Sequence, residues 1–118
     1  MKKHLLTLAM LLIACMSFGQ KNVLVEELTG TWCQWCPGGM YYGDSLVKAY
    51  SNVIFVAIHC EDPMENVEYY EASGLTGAPT ANIGRHHLGE SINNWFPRME
   101  LEMQNDPLAK LCPARLRV

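Results

Sequence analysis

The sequence predicts an α/β domain in which strands alternate with helices. Three observations carry that prediction. Val23 to Leu28 (VLVEEL) is an apolar run with β-branched residues. Val53 to Ile58 (VIFVAI) is continuously apolar, as expected of a strand covered on both faces in a parallel sheet. Between and after these runs the apolar spacing changes to that of helices, and such alternation favours right-handed crossovers.

The elements follow in order. Gly30 bounds the first strand, and Thr29 to Trp32 forms a turn. Pro37 then stands where the first turn of a helix tolerates proline. Met40, Gly43, Val47 and Tyr50 recur at intervals of three and four and mark one helical face, although Gly38 and Gly39 weaken the first turn. After the second strand, Asp62-Pro63 begins a helix through about Ala72, closed by Gly74. Thr80 to Ile83 reads as a short strand, and the region His87 to Glu90 as a weak edge strand. Ser91 caps a last helix to about Gln104, with Ile92, Trp95, Phe96, Met99 and Met103 on one face, and Asn105-Asp106-Pro107 ends it.

Length and composition fit one exported domain. Lys2, Lys3 and His4 precede a ten-residue apolar run from Leu5 to Ala14, too short for a membrane span but suited to a signal core. Ser17-Phe18-Gly19 permits cleavage before Gln20, whereas Leu12-Ile13-Ala14-Cys15 is similar to a lipobox with Cys15 as the lipidated residue. Residues 1–19 are thus expected to be a signal peptide, 20–107 the domain, and 108–118 a tail that starts a further β-rich region. Hydrophobic residues at 49% and charged residues at 18% indicate a globular chain rather than a disordered one. Without Lys2 and Lys3 the chain carries 7 basic against 12 acidic residues, which argues against nucleic-acid binding.

The chemistry-bearing motif is Trp32-Cys33-Gln34-Trp35-Cys36-Pro37, between a buried strand and a helix start. A thiolate attacks a disulfide, and a helix N-terminus lowers a thiol pKa through its partial positive charge and free N–H groups. Cys33 is expected to lie exposed at that end as the attacking residue, with Cys36 one turn on to resolve the mixed disulfide. Trp32 and Trp35 are candidates to line a substrate groove. A structural disulfide without turnover is the bland alternative. A third reading is a copper or zinc carrier using Cys33, Cys36 and one of His59, His86 and His87, a weak pattern because structural sites usually show a second close pair. Cys60 reads as a small, partly buried residue at a strand end, Cys112 lies beyond the core, and His86-His87 reads as a solvated turn. Glu61, Asp62, Glu65, Glu68 and Glu71 read as a solvated helix face.

This motif, its strand–turn–helix context and Ala78-Pro79-Thr80 resemble the thioredoxin superfamily over residues 22–105. More narrowly, VLVEELTGTWCQWCP, AIHCEDPM and GAPTANIGR resemble the thioredoxin-like domain of the bacterial outer-membrane protein family of the twenty-eight-kilodalton class. The resemblance implies a thioredoxin-like fold, α/β with a central sheet flanked by helices, a reduced N-terminal part and a truncated C-terminal extension. It implies a cis peptide before Pro79 against the redox pair, with Ala78 pairing to an extended substrate backbone. It implies a buried proton-shuttling acid six residues before Cys33, which is Glu27. Strand alternation allows only one of Glu26 and Glu27 to face inward on that side, and the alternative is that both are partly solvated strand-end carboxylates. The chain departs from thioredoxin itself in having Gln34-Trp35 between the cysteines and no clear first strand and helix. The implied activity is thiol–disulfide exchange on cysteine-containing exported proteins with a redox partner protein, in the periplasm or at the outer membrane, with neither cofactor nor metal. A non-catalytic surface binding protein on the same scaffold is the alternative.

Overall fold

In the computed structural model, which describes residues 21–105, the sheet is built around Val23–Thr29 (β1). The expected signal segment, Cys15, the 108–118 tail and Cys112 lie outside the described residues. Helix α1 spans Cys36–Ala49, β2 Val53–His59, α2 Val67–Ser73, β3 Thr80–Ile83 and β4 His87–Ser91. A single 3-10 turn at Ile92–Asn94 then leads into α3, Trp95–Asn105. The sheet order is β2-β1-β3-β4, with β1 and β2 parallel and β3 and β4 each antiparallel to its neighbour. The α/β class expected from the sequence is therefore present, as a mixed four-stranded sheet with three helices, compatible with a thioredoxin-like arrangement.

The strand period of two divides β1 between two layers. Val23 and Val25 join Leu46 of α1, Ala81 and Ile83 of β3, and Trp95 and Met99 of α3 in the larger core. Leu28 faces the other way, with Ile58, Cys60 and Leu75 and with Tyr70 of α2 against them. Helices α1 and α3 thus cover one face and α2 the other. Trp95 is fully buried, its ring 6.4 Å from that of Phe55, and its indole N–H donates to the Glu90 carbonyl at 2.9 Å, so the apolar body and the polar tip are both satisfied.

Four details differ from the sequence reading. The buried face of α1 is Cys36, Gly39, Gly43 and Leu46, while Met40 and Val47 are exposed. The helix is rotated by one residue from expectation because the sheet selects the glycines: a β-carbon at Gly43 would overlap the Phe55 ring. Among the described residues β2 is an edge strand, with Ile54 48% exposed, so its continuous apolar run is covered on both faces for only part of its length. Asp62-Pro63 belongs to a loop, and α2 starts later, where the Asn66 side chain caps the Tyr69 amide. Ser91 makes no side-chain cap, since the chain turns once before α3. The stop at Gly74 is as expected, with φ at +67° where glycine is favoured.

Candidate redox site

The site forms at the carboxyl end of β1. The chain leaves the strand at Thr29 and closes a turn in which the Cys33 amide donates to the Gly30 carbonyl at 3.0 Å. It starts α1 at Cys36, with Trp35 as N-cap and Pro37 in the first turn. Cys33 and Cys36 are joined as a disulfide, S–S 2.09 Å, with their Cα atoms 5.5 Å apart. Cys33 is less open than expected: it lies ahead of the first helical residue and is only 9% exposed, against 3% for Cys36. Of the two residues Cys33 remains the more exposed.

Pro79 arrives from the other side of the sheet. Leu28 pairs with Thr80, which sets the Ala78–Pro79 peptide beside the end of β1, and that peptide is cis. A β-carbon at Gly39 would meet the Pro79 β-carbon at 3.2 Å, so Pro79 lies against the first turn of the helix that Cys36 begins. The resemblance implied a cis peptide at this position. Ala78 packs at the edge of the Leu28 cluster.

Glu27 shares that turn. Its strand neighbours in register are Ala57 and Ala81, small residues that leave room for a carboxyl group, and a β-carbon at Gly39 would overlap the carboxylate. Glu27 is fully buried and, among the described residues, neither carboxylate oxygen has a hydrogen-bond partner. Burial alone pushes its pKa up to about 7, because nothing nearby compensates the desolvated charge. An acid titrating there can take or give a proton near neutral pH.

Glu26 is also fully buried, so the alternative of two solvated strand-end carboxylates does not hold. It faces α2, accepts from Tyr69 Oη at 2.6 Å, and takes Arg85 in a two-pronged contact at 2.7 and 3.1 Å. Burial pushes its pKa upward, but the Arg85 and Tyr69 bonds outweigh that and hold it below the usual carboxylate value.

The two tryptophans differ. Trp32 lies over Gly30, where a β-carbon would come within 2.7 Å of its ring, and its indole donates to the Cys60 carbonyl at 2.8 Å. It is a fixed half-exposed wall. Trp35 is 70% exposed beside the disulfide and is the open aromatic surface there.

The histidines fall elsewhere. His59 Nδ1 donates to Asp62 at 2.7 Å, while His86 and His87 stand 2.9 and 3.6 Å from the buried Glu102 carboxylate, which Lys21 also reaches at 3.1 Å. The His86-His87 pair is therefore an anchor for α3 rather than a merely solvated turn. Among the described residues no group of three or more His, Cys, Asp or Glu is placed to hold a metal ion. Cys60 stands at the strand end as expected but is more fully buried, and its thiol, pushed up first by burial and then by neighbouring acids, donates to the Thr29 carbonyl at 3.5 Å.

Sequence reasoning missed Gly39, Arg85 and Asp62. A glycine three residues after Cys36 was a visible signal for close approach; the Arg85 contact with Glu26 and the Asp62 contact with Thr31 carried none, since those partners lie 59 and 31 residues away.

No protein-family model and no curated protein matches the chain. Among solved structures the chain is similar to HBP35 of Porphyromonas gingivalis, with a TM-score of 0.55 and 24% sequence identity over 64% of this chain. The match spans 29% of that protein, so the likeness is one of fold over part of a longer chain.

Proposed function

We propose that the chain is an exported thiol–disulfide oxidoreductase-like protein acting on cysteine-containing exported proteins in the periplasm or at the outer membrane. One observation carries the reading: a buried, unpartnered carboxyl group, Glu27, packs against the helix turn that begins with one cysteine of a Cys-x-x-Cys disulfide. An uncompensated buried acid destabilises a fold when ionised, and its place beside a redox pair gives it chemical work.

In the reduced protein the Cys33 thiolate attacks a substrate disulfide, forming a mixed disulfide and releasing one substrate thiolate, which takes up a proton. Cys36 then attacks the Cys33 sulfur, its proton passing to the Glu27 carboxylate. The second substrate thiolate leaves, and the Cys33–Cys36 disulfide remains. A dithiol of a redox partner protein returns the pair to the reduced state, and the same steps in reverse oxidise a substrate dithiol. Pro79, packed against the first turn of α1, and the Ala78 backbone would present an edge to an extended substrate, with Trp32 and Trp35 flanking it. Export would follow from residues 1–19, by cleavage before Gln20 or lipidation at Cys15.

The near-burial of both cysteines favours a second reading, a binding scaffold with an inert disulfide. Measuring the Cys33–Cys36 couple against glutathione, with titration of the reduced Cys33 thiol and an insulin-reduction assay, decides between the two. Exchange with turnover, and a thiol titrating below free cysteine, support the oxidoreductase. A very low potential with slow exchange and no turnover supports the scaffold.

A further inference from the structure

The segment that delivers Cys33 is held by groups the exchange chemistry does not use. Thr31 and Trp32 are each tied to the loop that follows β2: the Thr31 amide donates to Asp62 Oδ2 at 2.8 Å and the Trp32 indole to the Cys60 carbonyl at 2.8 Å. Asp62 is the hub of that loop. Its Oδ2 also accepts from His59 Nδ1 at 2.7 Å, and its Oδ1 accepts from the Met64 amide at 2.8 Å. The side chain is 1% exposed, and three donors satisfy the carboxylate. Between Cys60 and Asp62 the chain adopts φ +54° at Glu61, a left-handed conformation that a residue with a side chain holds only when its surroundings impose it.

We propose that Asp62 is the positioning residue of the redox loop, holding the Thr31–Trp32 segment through the Thr31 amide so that Cys33 stays in bonding reach of Cys36. The consequence for chemistry rests on the redox reading above; the clamp itself does not. The clamp acts through effective concentration: the tighter the loop, the more often the two thiols meet, and small misplacements of reacting groups cost large factors. His59 completes it by donating to the same oxygen that receives Thr31, which orients the carboxylate.

The test compares Asp62→Ala, Asp62→Asn and Glu68→Gln with the wild type. Glu68→Gln removes one negative charge from the neighbouring helix α2 without touching the clamp. In Asp62→Ala the Thr31 amide is expected to exchange with solvent about tenfold faster, with amides of Val25 and Ile83 in the sheet unchanged, since a charge-assisted hydrogen bond is lost locally. The equilibrium with glutathione is expected to move about tenfold toward the dithiol. Asp62→Asn, which keeps one acceptor oxygen, is expected to recover part of both effects, and Glu68→Gln to show neither. Thr31 protection or a thiol equilibrium within about twofold of wild type in Asp62→Ala would overturn the proposal, as would an equal shift in Glu68→Gln. Should Asp62→Ala not fold, Asp62→Asn decides by the same two readings. A wild-type protein without insulin turnover would defeat the proposed function, and the Thr31 measurement would still decide the clamp.

Discussion

Glu26 and Glu27 are neighbours on one strand, identical in side chain and both fully buried, yet they lead opposite lives. Glu26 faces α2, where Arg85 and Tyr69 satisfy it and join the β3–β4 turn and α2 to the sheet. Glu27 faces α1, where two alanines and a glycine leave it space and no donor. The strand pleat makes the separation: one residue along, the environment changes from a bidentate cation to an apolar pocket. A buried carboxylate with partners is structural. A buried carboxylate without them is a standing cost in stability, which is why the proposed proton-shuttle role falls on Glu27.

The largest expected effect tests whether that role exists. Cys33→Ser should abolish thiol–disulfide exchange in an insulin assay, and Cys36→Ser should accumulate a mixed disulfide visible by non-reducing electrophoresis. Glu27→Gln should retain the fold and slow the resolving step, so that mixed disulfide builds up transiently in quenched-flow samples.

Stability sharpens the contrast, because the two residues should shift it in opposite directions. Burial raises the Glu27 pKa from the ordinary 4.5 to about 7 in the folded chain. The folded state therefore binds its proton more tightly than the unfolded state, and the associated stability is full below the unfolded pKa and lost as pH rises through the folded one. Over that window the loss is on the order of 3 kcal/mol. Glu27→Gln should remove this slope and make the protein more stable than wild type at pH 8, as read from urea midpoints. The Glu26 pKa is lowered, so its contribution is present above the unfolded pKa and is lost as pH falls through the folded one. Glu26→Gln should destabilise at pH 7 by about 1–3 kcal/mol, through weakened bonds to Arg85 and Tyr69. Equal signs for the two substitutions would break the comparison.

Packing around Glu27 gives a further test. Gly39→Ala places a methyl group where the Glu27 carboxylate lies, so it should cost about 1–3 kcal/mol by thermal denaturation. The double variant with Glu27→Ala should recover most of that loss, which identifies the contact. The smallest effect is expected at Tyr69→Phe, which removes one of the hydrogen bonds to Glu26 and should cost about 1 kcal/mol.

Local signals made much of this legible beforehand. The β-branched runs of β1 and β2, the Cys-x-x-Cys turn followed by Pro37, the stop at Gly74 and the apolar face of α3 all depend on residues close in sequence, and each stands where the sequence reading put it. The face of α1 was misjudged because helix periodicity weighs Met and Val above glycine, whereas the sheet required the close approach that only glycine permits at positions 39 and 43. Pro79 and Glu27 were visible as a resemblance, but nothing local brought them to the same helical turn.

By itself the sequence determined the order of strands and helices, the Cys-x-x-Cys motif between β1 and α1, and the presence of two adjacent acids in a buried strand. Only the tertiary structure decided that Glu26 would be neutralised and Glu27 left alone, that Asp62 would reach back to Thr31, and that β2 would stand at the edge of the described sheet. The reason is physical. Hydrophobic period and turn chemistry act over a few residues, whereas burial, charge pairing and close approach depend on partners that only the folded chain brings together.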